Sequence, residues 1–285
     1  FKQKTAYEIR LSLVGSEMCI RDRTHIATRP FCLFISYSGN TEETVDGVRE
    51  ALESGGTVVG ISSGGKLKEI ISESEDSLFL SVPGGQMPRS AFGHLFGTQL
   101  SVCWSLGIIE KPTIEDISEM IERLRSSSTD FDISGGNGLV VSVAESMINK
   151  QIGIIAPTIL MPAACRFASQ LNENSEVFAR PSELPEMNHN EIVAWSSANE
   201  NEHSLIYFSC GNIHPRINSR MNWMLENIDN DSSWIIDCEG QSLLESLLYA
   251  SHISDWISIC LALLQGVDPS EMSSIVNLKS HLSKV

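Results

Sequence analysis

An α/β fold of two domains, each a parallel sheet flanked by helices, is the class this sequence predicts, on three observations. Short apolar runs alternate with amphipathic helical patterns from Phe31 onward, which is the signature of βαβ units. The run Phe31-Cys-Leu-Phe-Ile35 is continuously apolar, as strands covered on both faces are. A polar, glycine-rich stretch from Ser126 to Gly138 interrupts the alternation, which then resumes in outline.

The first strand runs into Ser36, Ser38, Gly39, Asn40 and Thr41. Asn40 or Thr41 is placed to cap a helix over 41–54, with Glu42 and Glu43 in its first turn. Val45, Val48, Ala51 and Leu52 give that helix one apolar face, and Gly55-Gly56 stops it. A strand, a small-residue turn and a helix N-terminus suit an anion, because free N–H groups and the positive end of the dipole face it. The turn has no lysine and no GxxxxGK[ST] pattern, which points away from a nucleoside triphosphate and towards a sugar monophosphate. On residue types alone, an ordinary βα turn capped by hydroxyls remains an equal reading.

A second strand is expected at 57–62, a short helix over 66–72 and a third strand at 77–82. Pro83 to Arg89 forms a tight loop before a helix over about 90–106. Ile114, Ile117, Ile121 and Leu124 recur at helical spacing within 113–125. Beyond the 126–138 linker, the expected elements are a helix over 139–150, a strand at 151–156 and a helix over 159–172. A strand at 203–209, a helix over 215–226, a strand at 233–237 and helices over 240–265 and 269–283 follow. The domains are set at 24–128 and 129–285. Ligands of such sheets sit outside the strand C-termini.

The net charge is −16. Such a surface repels nucleic acid and anionic membranes, so neither is an expected partner. No segment reads as a transmembrane span. The seven cysteines (19, 32, 103, 165, 210, 238 and 260) are scattered, with no CxxC pair. That pattern points to a reducing cytoplasm and away from a metal site; no cofactor is expected.

Residues 1–23 read unlike the rest. Lys2-Gln-Lys-Thr-Ala-Tyr-Glu-Ile9 and Leu13-Val-Gly-Ser-Glu-Met-Cys-Ile-Arg-Asp-Arg23 look like the in-frame translation of a sequencing-library adaptor. Without them the balance is 15 basic against 33 acidic residues. The expectation is that native sequence upstream of Thr24 is missing. A second glycine- and serine-rich phosphate turn would be missing with it, so the chain as written should bind substrate poorly and turn over slowly or not at all, although its parent is an enzyme.

Polar residues concentrate again in Gln170-Leu-Asn-Glu-Asn-Ser175 and Glu186-Met-Asn-His-Asn-Glu-Ile-Val-Ala-Trp195. Glu173 offers a carboxylate base, and His189 an imidazole that exchanges protons near neutrality. Taken singly, the same residues serve as a solvated helix end and a loop histidine. Arg89 and Lys279, taken singly, read as solvated surface cations.

Ser36-Tyr-Ser-Gly-Asn-Thr-Glu-Glu-Thr44 resembles the signature of sugar isomerase (SIS) domains, which hold phosphosugars by such a loop. Leu171-Asn-Glu-Asn-Ser175 with Asn188-His-Asn-Glu-Ile192 and Trp195 resembles the bifunctional phosphoglucose/phosphomannose isomerases. Pro83-x-Gly-x-x-Pro-Arg89 and Gly266-Val-Asp-Pro followed by Ile275-x-x-Leu-Lys279 agree with the same family. The resemblance implies two SIS-type domains and interconversion of glucose and mannose 6-phosphates with fructose 6-phosphate. It implies Glu173 as the base between C1 and C2, and His189 with Lys279 at ring opening. Arg89 would face the enediolate, and Ser36, Ser38 and Thr41 would hold the phosphate. It also implies a homodimer in which the histidine comes from the neighbouring subunit.

Three positions depart from the family pattern. Arg166-Phe-Ala-Ser stands before the LNENS motif, Glu176 follows it where a lysine is usual, and Lys150 to Ala156 lacks the usual Tyr-Gly. These bear on sugar preference and on the phosphate environment rather than on the base. A non-catalytic phosphosugar-binding regulator, or an isomerase of another sugar phosphate, is the alternative. Glu173 and His189 weigh against the regulator, which needs no proton shuttle.

Overall fold

The computed structural model describes residues 31–197, 202–211, 213–228, 232–238, 240–282 and 284. The adaptor-like stretch 1–23 lies outside them. The chain divides into two compact units, one ending at Pro112 and the other spanning Thr113–Val285.

In the first unit three parallel strands lie in the order β1 (Phe31–Ile35), β2 (Thr57–Ser62), β3 (Ser77–Ser81). Phe31 stands opposite Thr57, and Val58 opposite Ser77. Helix α1 (Glu42–Glu53) buries Val45, Val48 and Ala51 on the face its spacing predicts. Helix α2 (Gly65–Ser72) buries Leu67 and Ile71. A 3-10 turn, Pro88–Ala91, leads into α3 (Phe92–Ser105). Each strand thus ends in a loop on the same edge of the sheet, which is where parallel sheets place ligand contacts.

In the second unit the sheet order is β5 (Ala179–Leu184), β4 (Gln151–Pro157), β6 (His203–Ser209), β7 (Trp234–Asp237), all parallel. Alternate residues supply two cores, as the period of two in a strand requires. Ile154, Ile206 and Phe208 face α5 (Leu139–Ser146), α6 (Met161–Ser175) and α9 (Leu243–Gln265). Ile155, Leu205 and Tyr207 face the side of α7 (Glu191–Ser197) and α8 (Pro215–Asn227). Phe167 and Phe208 are fully buried and stacked at 6.0 Å. Phe167→Ala should therefore cost about 3–5 kcal/mol, because the surrounding core relaxes only partly into the cavity. Urea unfolding of the variant against the parent measures it.

The structure departs from the expected element list in three places. Helix α4 (Ile114–Asp130) opens on a Thr113–Asp116 capping box and runs on into the stretch read as a linker. Phe131 is buried there against Tyr249 and His252, and Arg123 pairs with Glu245 at 2.7 Å. The division between units accordingly falls at 112/113. Strand β5 and helix α7 were not expected at all. β5 is an edge strand that carries Pro181 and polar residues, a composition edge positions tolerate and sequence patterns do not flag. Finally, α9 is long and apolar enough by length and composition to cross a membrane, which corrects the expectation that no segment was. Half of its most apolar window is buried inside the protein, as in a core helix packed on α6 and α5.

Candidate active site

The Ser36–Thr41 turn is held from both ends. Ser36 is buried, and its Oγ lies 2.8 Å from Thr41 Oγ1. Thr41 is the N-cap residue of α1, but its hydroxyl makes no cap bond to the helix. It is turned to Ser36 instead. The first N–H groups of α1 therefore have no side-chain cap, an arrangement suited to an external anion. Ser38 is exposed at the tip, where its Oγ accepts from the Asn40 N–H at 3.2 Å.

The turn is also locked to the first turn of α2, which follows β2. The Leu67 N–H donates to the Gly39 carbonyl at 2.9 Å, and the Lys66 N–H to Asn40 Oδ1 at 3.1 Å. Gly39 has φ +67°, and a Cβ there would lie 1.9 Å from the Gly64 carbonyl oxygen. Only glycine fits that position. Arg89, in the 3-10 turn after β3, is buried at 8% exposure. A surface reading of this arginine is thereby excluded.

In the second unit the LNENS residues divide their labour. Leu171 is in the core. Asn172 Oδ1 accepts from the Ala179 N–H at 3.4 Å, fastening the end of α6 to the start of β5. Asn174 Nδ2 donates to Ser258 Oγ at 2.9 Å, and Ser175 Oγ to the Ser258 carbonyl at 2.7 Å, both buried. One turn earlier, Arg166 and Gln170 donate to Asp255 at 2.8–3.0 Å. Glu173 is exposed on the helix end that these bonds immobilise. Glu176 takes the left-handed C-cap position at φ 54°.

His189 is exposed at the end of a 3-10 turn, Glu186–His189, just past the C-terminus of β5. Glu191 ties this segment back to the strand. It accepts from Arg180 Nε and Nη2 at 2.9 Å each, and from Ser182 Oγ at 2.5 Å. Burial by itself raises the Glu191 carboxyl, but the bonds from Arg180 and Ser182 outweigh it and hold the group below the usual carboxylate range. A depressed pKa contributes stability above the unfolded value, and that stability is lost as pH falls through the folded one. Glu191→Gln should therefore narrow the gap between melting temperatures measured at pH 7 and at pH 4. An unchanged gap would show that the anchor carries no net stability.

Asn172 places Glu173 at the beginning of β5, whereas His189 lies beyond its end. The chain then turns back along β5, since Glu191, two residues after His189, reaches Arg180 and Ser182. Lys279 sits on α10 (Ser273–Leu282), every residue of which is exposed.

Residues 140–282 match the family model for the bacterial phospho-glucose isomerase C-terminal SIS domain. A bifunctional phosphoglucose/phosphomannose isomerase of Thermoplasma volcanium is 32% identical over 252 residues, covering 87% of this chain and 76% of that protein. The chain belongs to the bifunctional phosphoglucose/phosphomannose isomerase family. A relative of the same name from Aquifex aeolicus is 31% identical, over 89% of this chain and 76% of its own length. Among solved structures, a glucosamine-6-phosphate deaminase of Thermotoga maritima superposes with a TM-score of 0.63 at 15% identity, over 86% of this chain and 73% of that one. That likeness shows the SIS fold.

Two features of this isomerase-family chain escaped the sequence reading. The anchors of the LNENS helix on α9 had a signal, since Ser251, Ser254 and Ser258 recur at one-face spacing along an apolar helix and are all buried. The Glu191 anchor had none, because its partners lie on a strand that was not expected. Trp195, quoted for the family likeness, lies against Gly153 of β4, where a Cβ would come within 2.9 Å of its ring.

Proposed function

We propose that this chain interconverts glucose 6-phosphate and mannose 6-phosphate with fructose 6-phosphate through a cis-enediol(ate). The observation that carries the reading is the treatment of the LNENS motif. Its leucine, its two asparagines and its serine fasten the end of α6 by packing and hydrogen bonds, and Glu173 is exposed on that fixed end. A positioned carboxylate base serves an isomerase, whereas a regulator needs no proton shuttle.

Glu173 takes the proton from C2 of the open-chain aldose and returns it to C1; the reverse reaction exchanges the carbons. The enediolate oxygen carries the negative charge that forms, and the Arg89 guanidinium stabilises it. Ser36, Ser38 and Thr41, with the uncapped N–H groups of α1, hold the phosphate. His189, with Lys279, moves the proton between the ring oxygen and the C1 hydroxyl when the pyranose opens. C2 is planar in the intermediate, so glucose and mannose 6-phosphates converge on one species. The family resemblance supports a homodimer in which each site takes its histidine from the other subunit. Six described cysteines are free thiols, which supports a reducing, cytoplasmic setting. A coupled assay of the full-length parent protein with glucose 6-phosphate and with mannose 6-phosphate tests the reading, and turnover of neither sugar would overturn it.

A further inference from the structure

We infer that Tyr37 is a positioning residue that sets Arg89 relative to the phosphate turn, through a hydrogen bond that crosses the end of β2. The inference rests on the roles proposed above for Arg89 and for Ser36–Thr41.

The phosphate turn follows β1 and Arg89 follows β3, and the sheet order places β2 between them. Two inter-strand spacings, about 9.6 Å, separate the two strands. No ladder bond joins β1 to β3, so their loops need some other tie to hold a common geometry. Tyr37 provides one. Its carbonyl accepts from both the N–H and the Oγ of Ser63, at 2.9 and 2.7 Å, which fixes its backbone on the β2 loop. Its phenol oxygen then accepts from the Gln86 N–H at 2.8 Å, in the β3 loop.

That loop transmits the anchor to Arg89. The Val82 N–H donates to the Ser62 carbonyl at 3.0 Å, holding the loop's near end on β2. Just past Gln86, the Met87 carbonyl accepts from the N–H groups of Ser90 and Ala91 at 3.0 and 3.2 Å, and from Ser90 Oγ at 2.8 Å. Pro88 opens the 3-10 turn in between. The segment from Gln86 to Ala91 is therefore a short braced unit with Arg89 inside it, and a shift at Gln86 is a shift at Arg89. Phosphate binding itself gives no reason for an aromatic residue between Ser36 and Ser38. The phenol's reach across β2 gives one.

The test compares two ligands by titration calorimetry. Arabinonate 5-phosphate carries a planar carboxylate in place of the enediolate and engages both Arg89 and the phosphate turn. Glucitol 6-phosphate offers the phosphate and hydroxyls but no such anion. Tyr37→Phe keeps the ring and removes only the acceptor, and is expected to weaken arabinonate 5-phosphate by about tenfold, the worth of one such hydrogen bond. Glucitol 6-phosphate should change by less than about twofold, since its phosphate contacts are untouched. Gln86→Ala keeps the backbone N–H and should change neither. In an Arg89→Ala background Tyr37→Phe should cost nothing further, which a merely structural role would not produce. A Tyr37→Phe protein that retains the parent's preference for the aldonate overturns the inference alone. Equal weakening of both ligands also overturns it, by showing a general loosening of the turn. A parent protein without any preference overturns the reading of Arg89, and this inference with it.

Discussion

Glu173→Gln should lower isomerase turnover by about 10²–10⁴-fold, the usual worth of a positioned acid–base group, while sugar-phosphate affinity stays close to the parent's. The amide has the size of the carboxylate but cannot accept the C2 proton. Glu173 is exposed, and the bonds that fix its helix end belong to Asn172, Asn174 and Ser175. An unchanged melting temperature with lost turnover would separate chemistry from folding. Near-normal turnover would remove Glu173 from the base position.

Mixing Glu173→Gln subunits with His189→Ala subunits should restore activity that neither variant has alone. The expectation follows from the family resemblance, which implies that each site takes its histidine from the neighbouring subunit. In a two-fold dimer with shared sites, a mixed pair has one doubly damaged site and one intact site. Random exchange makes half the dimers mixed, so about a quarter of the parent turnover should return. The measurement is turnover after subunit exchange, with exchange verified by mass-tagged chains. Complete exchange without recovery would show that each chain's site is complete in itself.

The sequence by itself determined the elements whose physics is local. Phe31–Ile35 reads as a buried strand because all five residues are apolar. The face of α1 follows from Val45, Val48 and Ala51 at helical spacing. The order Ser-Tyr-Ser-Gly-Asn-Thr and the two asparagine-rich motifs were enough to name the family and the candidate residues. What only the tertiary structure decided depends on partners far apart in the chain. β5 is a strand because β4 pairs with it, in spite of Pro181 and its polar residues. The supposed linker is structured because Phe131 finds a place against Tyr249 and His252 on α9. α9 looks like a membrane span by composition, yet its Ser258 holds the end of α6 by bonds spanning more than 80 residues. Arg89 reads as a surface cation until its burial is seen, and Tyr37 reads as a spare aromatic until its phenol meets Gln86, 49 positions away. Periodicity records which face of an element is apolar. It does not record which distant backbone groups that face will meet, because those hydrogen bonds form only once the strands are ordered side by side.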